Sequence, residues 1–120
     1  MSYKDFTQMP VWQKALKLLL EVYRVTENFP SSEKFGMISD MRRAANTITH
    51  NIAEGYGRYE NKDKTRFYKI SRGSAYELIS QTITSFELRY LIELDRIYLV
   101  TTAKEIIEEL DKLISTIESR

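Results

Sequence analysis

The chain has 120 residues with no cysteine, two prolines and four glycines; 42% of residues are apolar, 29% are charged, and the formal net charge is +1. This length fits one domain, residues 1–120, with a core of its own. The lack of cysteine excludes disulfides, a thiolate nucleophile and cysteine-held metals and agrees with a reducing cytosol, while so little proline and glycine argues against a turn-rich all-β fold.

Residues 1–10 are polar and lack the apolar core of a signal peptide. Apolar runs such as Leu18-Leu19-Leu20 are far too short to span a bilayer. A cytoplasmic protein without a membrane partner is expected. The small net charge hides an asymmetry: residues 34–72 carry nine basic and four acidic side chains, and residues 73–120 carry five basic and nine acidic. Such polarity suits a polyanion or a neighbouring subunit, or simply solvated helix faces.

The first predicted helix runs from Pro10 to Phe29. Proline fits the first turn, where its missing N–H costs nothing. Val11, Ala15, Leu18, Val22, Val25 and Phe29 recur every three or four residues, the spacing of a buried stripe. Trp12, Leu16, Leu19 and Tyr23 form a second stripe and widen the apolar arc beyond what an isolated bundle needs. Pro30 ends the helix.

The second helix is expected over about Glu33 to Glu54, capped by Ser31 or Ser32, with Ile38, Met41, Ala45, Ile48 and Ile52 inward. Gly55 and Gly57 are expected to close it through positive φ. Arg43, Asn46, His50 and Glu54 share one of its faces. His50 with Glu54 is the one pair that general acid–base chemistry could use, but nothing implies the pocket such work needs. A two-metal bundle site requires Glu-x-x-His motifs, which are missing, so no metal and no cofactor is expected. Gly55-Tyr56-Gly57 is no phosphate loop, because it lacks a third glycine, a preceding strand and a following Lys-Ser or Lys-Thr.

The third helix is expected from Asn61 or Lys62 to Tyr90. One apolar stripe is Phe67, Ile70, Ser74, Leu78, Gln81, Ser85 and Leu88; another is Tyr68, Ala75, Ile79, Thr82, Phe86 and Tyr90. Gly73 in its middle suggests close approach of a neighbouring helix. Arg58, Lys62, Arg66, Lys69 and Arg72 follow the turn at near-helical spacing, interleaved with Tyr56, Tyr59, Phe67 and Tyr68. Cations beside aromatic rings can hold a phosphate backbone and stack on unpaired bases. The fourth helix, from about Asp95 onward, carries a heptad-like seam of Val100, Ala103, Ile107, Leu110, Ile114 and Ile117, broadened by Ile106 and Leu113. Short connections make successive helices antiparallel neighbours. The expected fold is all-α, an antiparallel up-down-up-down four-helix bundle.

Several motifs recur in order: Val11-Trp12-Gln13-Lys14-Ala15, Phe29-Pro30, Glu33, Phe35-Gly36, Arg42-Arg43-Ala44-Ala45, Asn51-Ile52-Ala53-Glu54-Gly55, Gly57-Arg58 and Gly73-Ser74-Ala75-Tyr76-Glu77. Over about residues 6 to 90 the chain resembles the small four-helix-bundle proteins encoded in intervening sequences of bacterial large-subunit ribosomal RNA genes. The resemblance implies an antiparallel bundle assembling as rings of five subunits around a channel, with no established catalysis. A related branch, the accessory proteins of diversity-generating retroelements, binds nucleic acid and a reverse transcriptase through a strongly basic surface; the net charge of +1 departs from that branch.

Arg42 and Arg43 are placed to pair with carboxylates of a neighbouring helix or subunit, and Asn51 and Glu54 to bond the backbone of the glycine turn. The expected function is therefore a non-enzymatic homo-oligomer, a pentamer on the strength of the resemblance, with RNA or DNA binding through Arg58, Lys62, Arg66, Lys69 and Arg72. The competing readings are an adaptor for another protein without nucleic-acid binding, or an enzyme built on His50 and Glu54.

Overall fold

The computed structural model describes residues 3–120. Four helices carry the architecture: α1 (Pro10–Thr26), α2 (Met37–Gly57), α3 (Asn61–Glu87) and α4 (Glu93–Glu118). Single 3-10 turns at Phe6–Gln8 and Ser31–Glu33 precede α1 and α2, and there is no strand among the described residues. Each helix packs on the next and α4 closes against α1, giving a helical bundle of 46 × 23 × 21 Å.

Cross-helix contacts fix the relative senses. Arg42 donates to the Thr26 hydroxyl and Thr49 to the Ala15 carbonyl, so numbers rise along α2 as they fall along α1. Ser71 to the Ile48 carbonyl and Ser85 to the Met41 sulfur relate α3 to α2 in the same way. Lys69 with Glu118 and Arg72 with Asp111 do so for α3 and α4. Arg24 with Asp95 and Lys14 with Glu109 do so for α1 and α4.

Leu18, Val22, Met41, Ile48, Ile52, Leu78, Leu99, Ile106 and Leu110 are sealed in the core. Each such side chain contributes about 1.5–3 kcal/mol through burial. The three- and four-residue spacing located most of the core stripes of α1, α2 and α4, but Ile38 and Val100 are half-buried and Leu99, outside the expected seam, is sealed in the core. Threonines complete the interior: the hydroxyls of Thr26, Thr49 and Thr82 donate to the carbonyls of Val22, Ala45 and Leu78, one helical turn back. Buried hydroxyls satisfied in this way carry little desolvation cost.

The structure corrects the expected helix ends. α1 stops at Thr26, and Phe29 is buried beyond it, its ring 5.3 Å from that of Tyr90. α2 starts at Met37 rather than Glu33, and neither Ser31 nor Ser32 caps it. The Glu33 carboxylate does that work, accepting from the Met37 amide at 3.0 Å and from the Tyr90 hydroxyl at 2.8 Å. Those two bonds hold its carboxyl below the ordinary glutamate range. They also clamp the α1–α2 connection to the far end of α3.

Gly55 and Gly57 lie inside α2, and no glycine has positive φ. The expected glycine turn is therefore a continued helix. Gly55 is needed for space: a β-carbon there would stand 2.6 Å from Cε1 of Tyr68. Positive φ falls instead on Arg89 (φ 65°), just past the end of α3. Its amide donates to the Phe86 carbonyl and that of Tyr90 to the Ser85 carbonyl, a closure that needs one left-handed residue.

The core face of α3 takes Leu78 and Ser85 from the stripe headed by Phe67 and Ile70 and Tyr68, Ala75 and Thr82 from the other. Ile70 is 40% exposed and Leu88 50% exposed. The buried face is Thr65, Tyr68, Ser71, Ala75, Leu78, Thr82 and Ser85. Small and hydroxylic side chains let α3 lie close to α2, where Ala44 and Ala45 are also buried. The expectation for Gly73 fails too, because a β-carbon there would meet nothing within 4 Å.

Candidate interaction surfaces

The helical repeat of α3 lays Lys62, Arg66 and Lys69 along one edge, where they line a shallow depression with Thr65, Ile70 and Glu118. Arg72 lies farther along, on the α4 side, bonded to Asp111 at 2.5 Å and stacked on the Tyr76 ring. Arg58 comes from the end of α2, with its guanidinium 4.6 Å from the Phe67 ring centre; that of Arg66 is 4.4 Å from the same ring. The five predicted cations thus form an arc rather than one concentrated patch.

Folding answers most of that charge. Arg58 pairs with Glu54, Arg66 with Asp63, Lys69 with Glu118 and Arg72 with Asp111. The bond that Arg72 donates to Asp111 also raises its pKa. The acidic end of the sequence is the helix laid beside the basic middle, so the asymmetry along the chain largely cancels in space. Each surface pair contributes at most about 1 kcal/mol to stability, but together they lower the local potential available to a polyanion.

Arg42 reaches across to the end of α1, donating to the Thr26 hydroxyl at 2.9 Å and to Glu27 at 3.3 Å, with its guanidinium over the Tyr23 ring. Among the described residues Arg43 reaches only Asp40 of its own helix. Asn51 donates to the Thr47 carbonyl and Glu54 pairs with Arg58, so neither bonds the backbone near Gly55. The reason is the helical continuation through Gly57, which leaves no adjacent turn to bond. His50 is exposed on α2, and the only carboxylate of the proposed pair, Glu54, is engaged by Arg58. Among the described residues no three His, Asp or Glu side chains gather as a metal site would require.

Tyr68, one of the aromatics interleaved with the basic run, and the neighbouring Lys64 hold the end of α2. The Lys64 ammonium donates to the carbonyls of Tyr56 at 2.8 Å and Gly55 at 3.4 Å. A cation at a helix C-terminus is favoured by the macrodipole. Desolvation, and then the nearby Arg120 guanidinium, lower its pKa. Tyr68 lies beneath it, and burial pushes its phenol up to about 12. For Lys64 the sequence cue was a lysine one turn into a helix that follows directly on another.

Apolar side chains remain uncovered on two sides of the bundle. On the α1–α2 side, Leu16 is half-buried, Leu20 is 58% exposed, and Tyr23 meets Arg42 and Asn46 of α2. On the α3–α4 side, Tyr76 and Ile83 share the helical face that carries Arg72 and Phe86 toward Asp111 and Arg96 of α4. On α4, Ile97 (45% exposed) lies on the face of Asp111, with Leu94 and Tyr98 close in sequence and also exposed. Among the described residues no helix is long and apolar enough to cross a membrane.

These features define a small four-helix bundle with a largely neutralised basic edge and uncovered apolar strips. The chain belongs to the 23S rRNA-intervening sequence protein family, whose model matches residues 7–115. A crystal structure from Bacteroides thetaiotaomicron, described as a protein with unknown function from the S23 ribosomal protein family, has the same fold: TM-score 0.78 at 20% identity, covering 87% of this chain and 97% of that one. No curated protein matches the chain.

Proposed function

We propose that this protein is a non-enzymatic, cytoplasmic interaction protein that works as a ring of identical subunits. The observation that carries the reading is the presence of exposed apolar strips on two different sides of one bundle, headed by Leu20 and Tyr23 on α1 and by Ile83 and Ile97 on α3 and α4. A contact joining one side of a subunit to a different side of the next is heterologous, and heterologous contacts close into rings when the rotation permits. The resemblance drawn from the sequence motifs sets the number at five. Sedimentation or light scattering at micromolar concentration tests it. The expected mass is a multiple of 14.2 kDa above one; a 14.2 kDa species alone overturns it.

Nucleic-acid binding is the second reading, and its support is the shared edge of Lys62, Arg66 and Lys69. Of the five basic residues only Lys62 lacks a carboxylate within 4 Å among the described residues. Binding there releases counterions, so affinity for structured RNA or for single strands falls steeply with salt. A mobility shift insensitive to salt, or no shift at all, rejects this reading and leaves an adaptor for protein partners.

A further inference from the structure

The end of the bundle where α2 gives way to α3 holds a depression of about 570 Å³. Its charged lining is wholly cationic: Arg58, Lys64 and Arg120, with no Asp or Glu. Arg58 has its own carboxylate in Glu54. Lys64 and Arg120 repel each other, and neither has an Asp or Glu side chain within 4 Å among the described residues. Like charges gathered without a counter-ion favour an anion between them.

A second observation comes from the floor. Tyr68 is only 3% exposed, lines the depression, and its hydroxyl has no hydrogen-bond partner among the described residues. Its hydroxyl oxygen is not sealed off as the Trp12 indole nitrogen is but opens into the depression, free to donate to what lies there. Gly55 gives its ring the room to lie there. At the rim, Tyr59 is 97% exposed and offers a bare aromatic face. The carbonyl ends of α2 and α4 face this end and oppose an anion. Lys64 offsets that of α2 by bonding two of its carbonyls and keeps one N–H in hand.

We propose that this depression binds a phosphate group carried on a nucleoside, with Lys64 and Arg120 on the phosphate oxygens, the Tyr68 hydroxyl donating to one of them, and the Tyr59 ring against the base. The site adjoins the Lys62 end of the Lys62–Arg66–Lys69 edge, sharing Arg120 with the depression that Lys62 and Glu118 line, and is built within one subunit.

The test is titration of the full chain at low ionic strength with adenosine 5′-monophosphate, adenosine and inorganic phosphate, followed by calorimetry and by the tyrosine ring resonances. The nucleotide is expected to saturate with movement of the Tyr68 resonances, adenosine to leave them in place, and inorganic phosphate to bind about tenfold more weakly for want of stacking. Tyr68→Phe, which keeps the ring and the fold, is expected to weaken the nucleotide about fivefold or more by removing a donor to a charged group. Tyr59→Ala is expected to weaken the nucleotide and leave inorganic phosphate unchanged. A 5′-phosphorylated single strand that competes for the same resonances places the phosphate on nucleic acid; one that fails to compete places it on a free nucleotide. No saturable shift with either nucleotide or phosphate up to about 10 mM, which is weaker than any specific site, overturns the proposal. So does Tyr68→Phe binding as tightly as the native chain, and equal affinity for phosphate and nucleotide overturns its nucleoside half.

Discussion

The Tyr68 ring of α3 rests against the backbone of Gly55 in α2, so close that a β-carbon on residue 55 would stand 2.6 Å from Cε1 and 2.9 Å from Cδ1. Tyr68 is buried and cannot swing aside. Replacing glycine by alanine inside a helix ordinarily gains about 1 kcal/mol, whereas overpacking a filled site costs about 1–3 kcal/mol. Gly55→Ala is expected to destabilise the protein by about 1–2 kcal/mol in chemical denaturation. In a Tyr68→Leu background the same substitution should turn neutral or stabilising. A stabilised Gly55→Ala single variant would contradict the packing role.

Arg89 sits in left-handed geometry at φ 65° to close the end of α3. A side chain there costs about 1–2 kcal/mol relative to glycine, part of which glycine returns through its freer unfolded chain. Arg89 belongs to none of the salt bridges of the described residues, so little is lost with it. Arg89→Gly is expected to raise stability by about 0.5–1 kcal/mol, seen as a higher denaturation midpoint.

Glu33 joins two ends of the bundle by accepting from the Met37 amide and then the Tyr90 hydroxyl, which lowers its pKa from 4.5. A carboxyl with a depressed folded-state pKa stabilises the fold above its unfolded value. That contribution is present at pH above 4.5 and is lost as pH falls through the lower folded-state pKa. Melting temperature should therefore drop in acid below pH 4.5, and Glu33→Gln should flatten that part of the profile while lowering the neutral plateau. An unchanged acid limb in the variant would remove Glu33 from this role.

The strips proposed to join subunits can be charged without harming the monomer. Leu20 and Ile97 are about half exposed, so Leu20→Glu and Ile97→Glu should change unfolding stability by no more than about 0.5 kcal/mol each. Either is expected to reduce the mass in light scattering to that of one chain, because a buried unpaired carboxylate at a contact is strongly unfavourable. Retention of the assembled mass by both variants would place the contact elsewhere.

The family motifs were legible as residues but not as roles. Asn51-Ile52-Ala53-Glu54-Gly55 looked like a helix end because glycine so often ends helices, yet Gly55 serves a neighbour's ring and Ile52 the core. Lys69 and Arg72 read as part of a basic run because their partners Glu118 and Asp111 lie 49 and 39 residues away in sequence, whereas Arg58 and Arg66 have theirs one helical turn away in Glu54 and Asp63. Tyr68 was legible as one of the aromatics among the cations, but the cap that Lys64 makes above it shows itself only once α2 and α3 are side by side.

Local spacing by itself determined the four helices, their order and most of the inward side chains of α1, α2 and α4, since a repeat of 3.6 residues is written directly into where apolar side chains recur. On α3 it divided the inward residues between two stripes, because Ser71, Ala75, Thr82 and Ser85 carry too little apolar surface to mark a single face. Only the tertiary structure decided which cations are neutralised, which glycine makes room and which apolar strips stay uncovered. Those outcomes depend on distances between helices, and such distances are set by packing among residues remote in sequence.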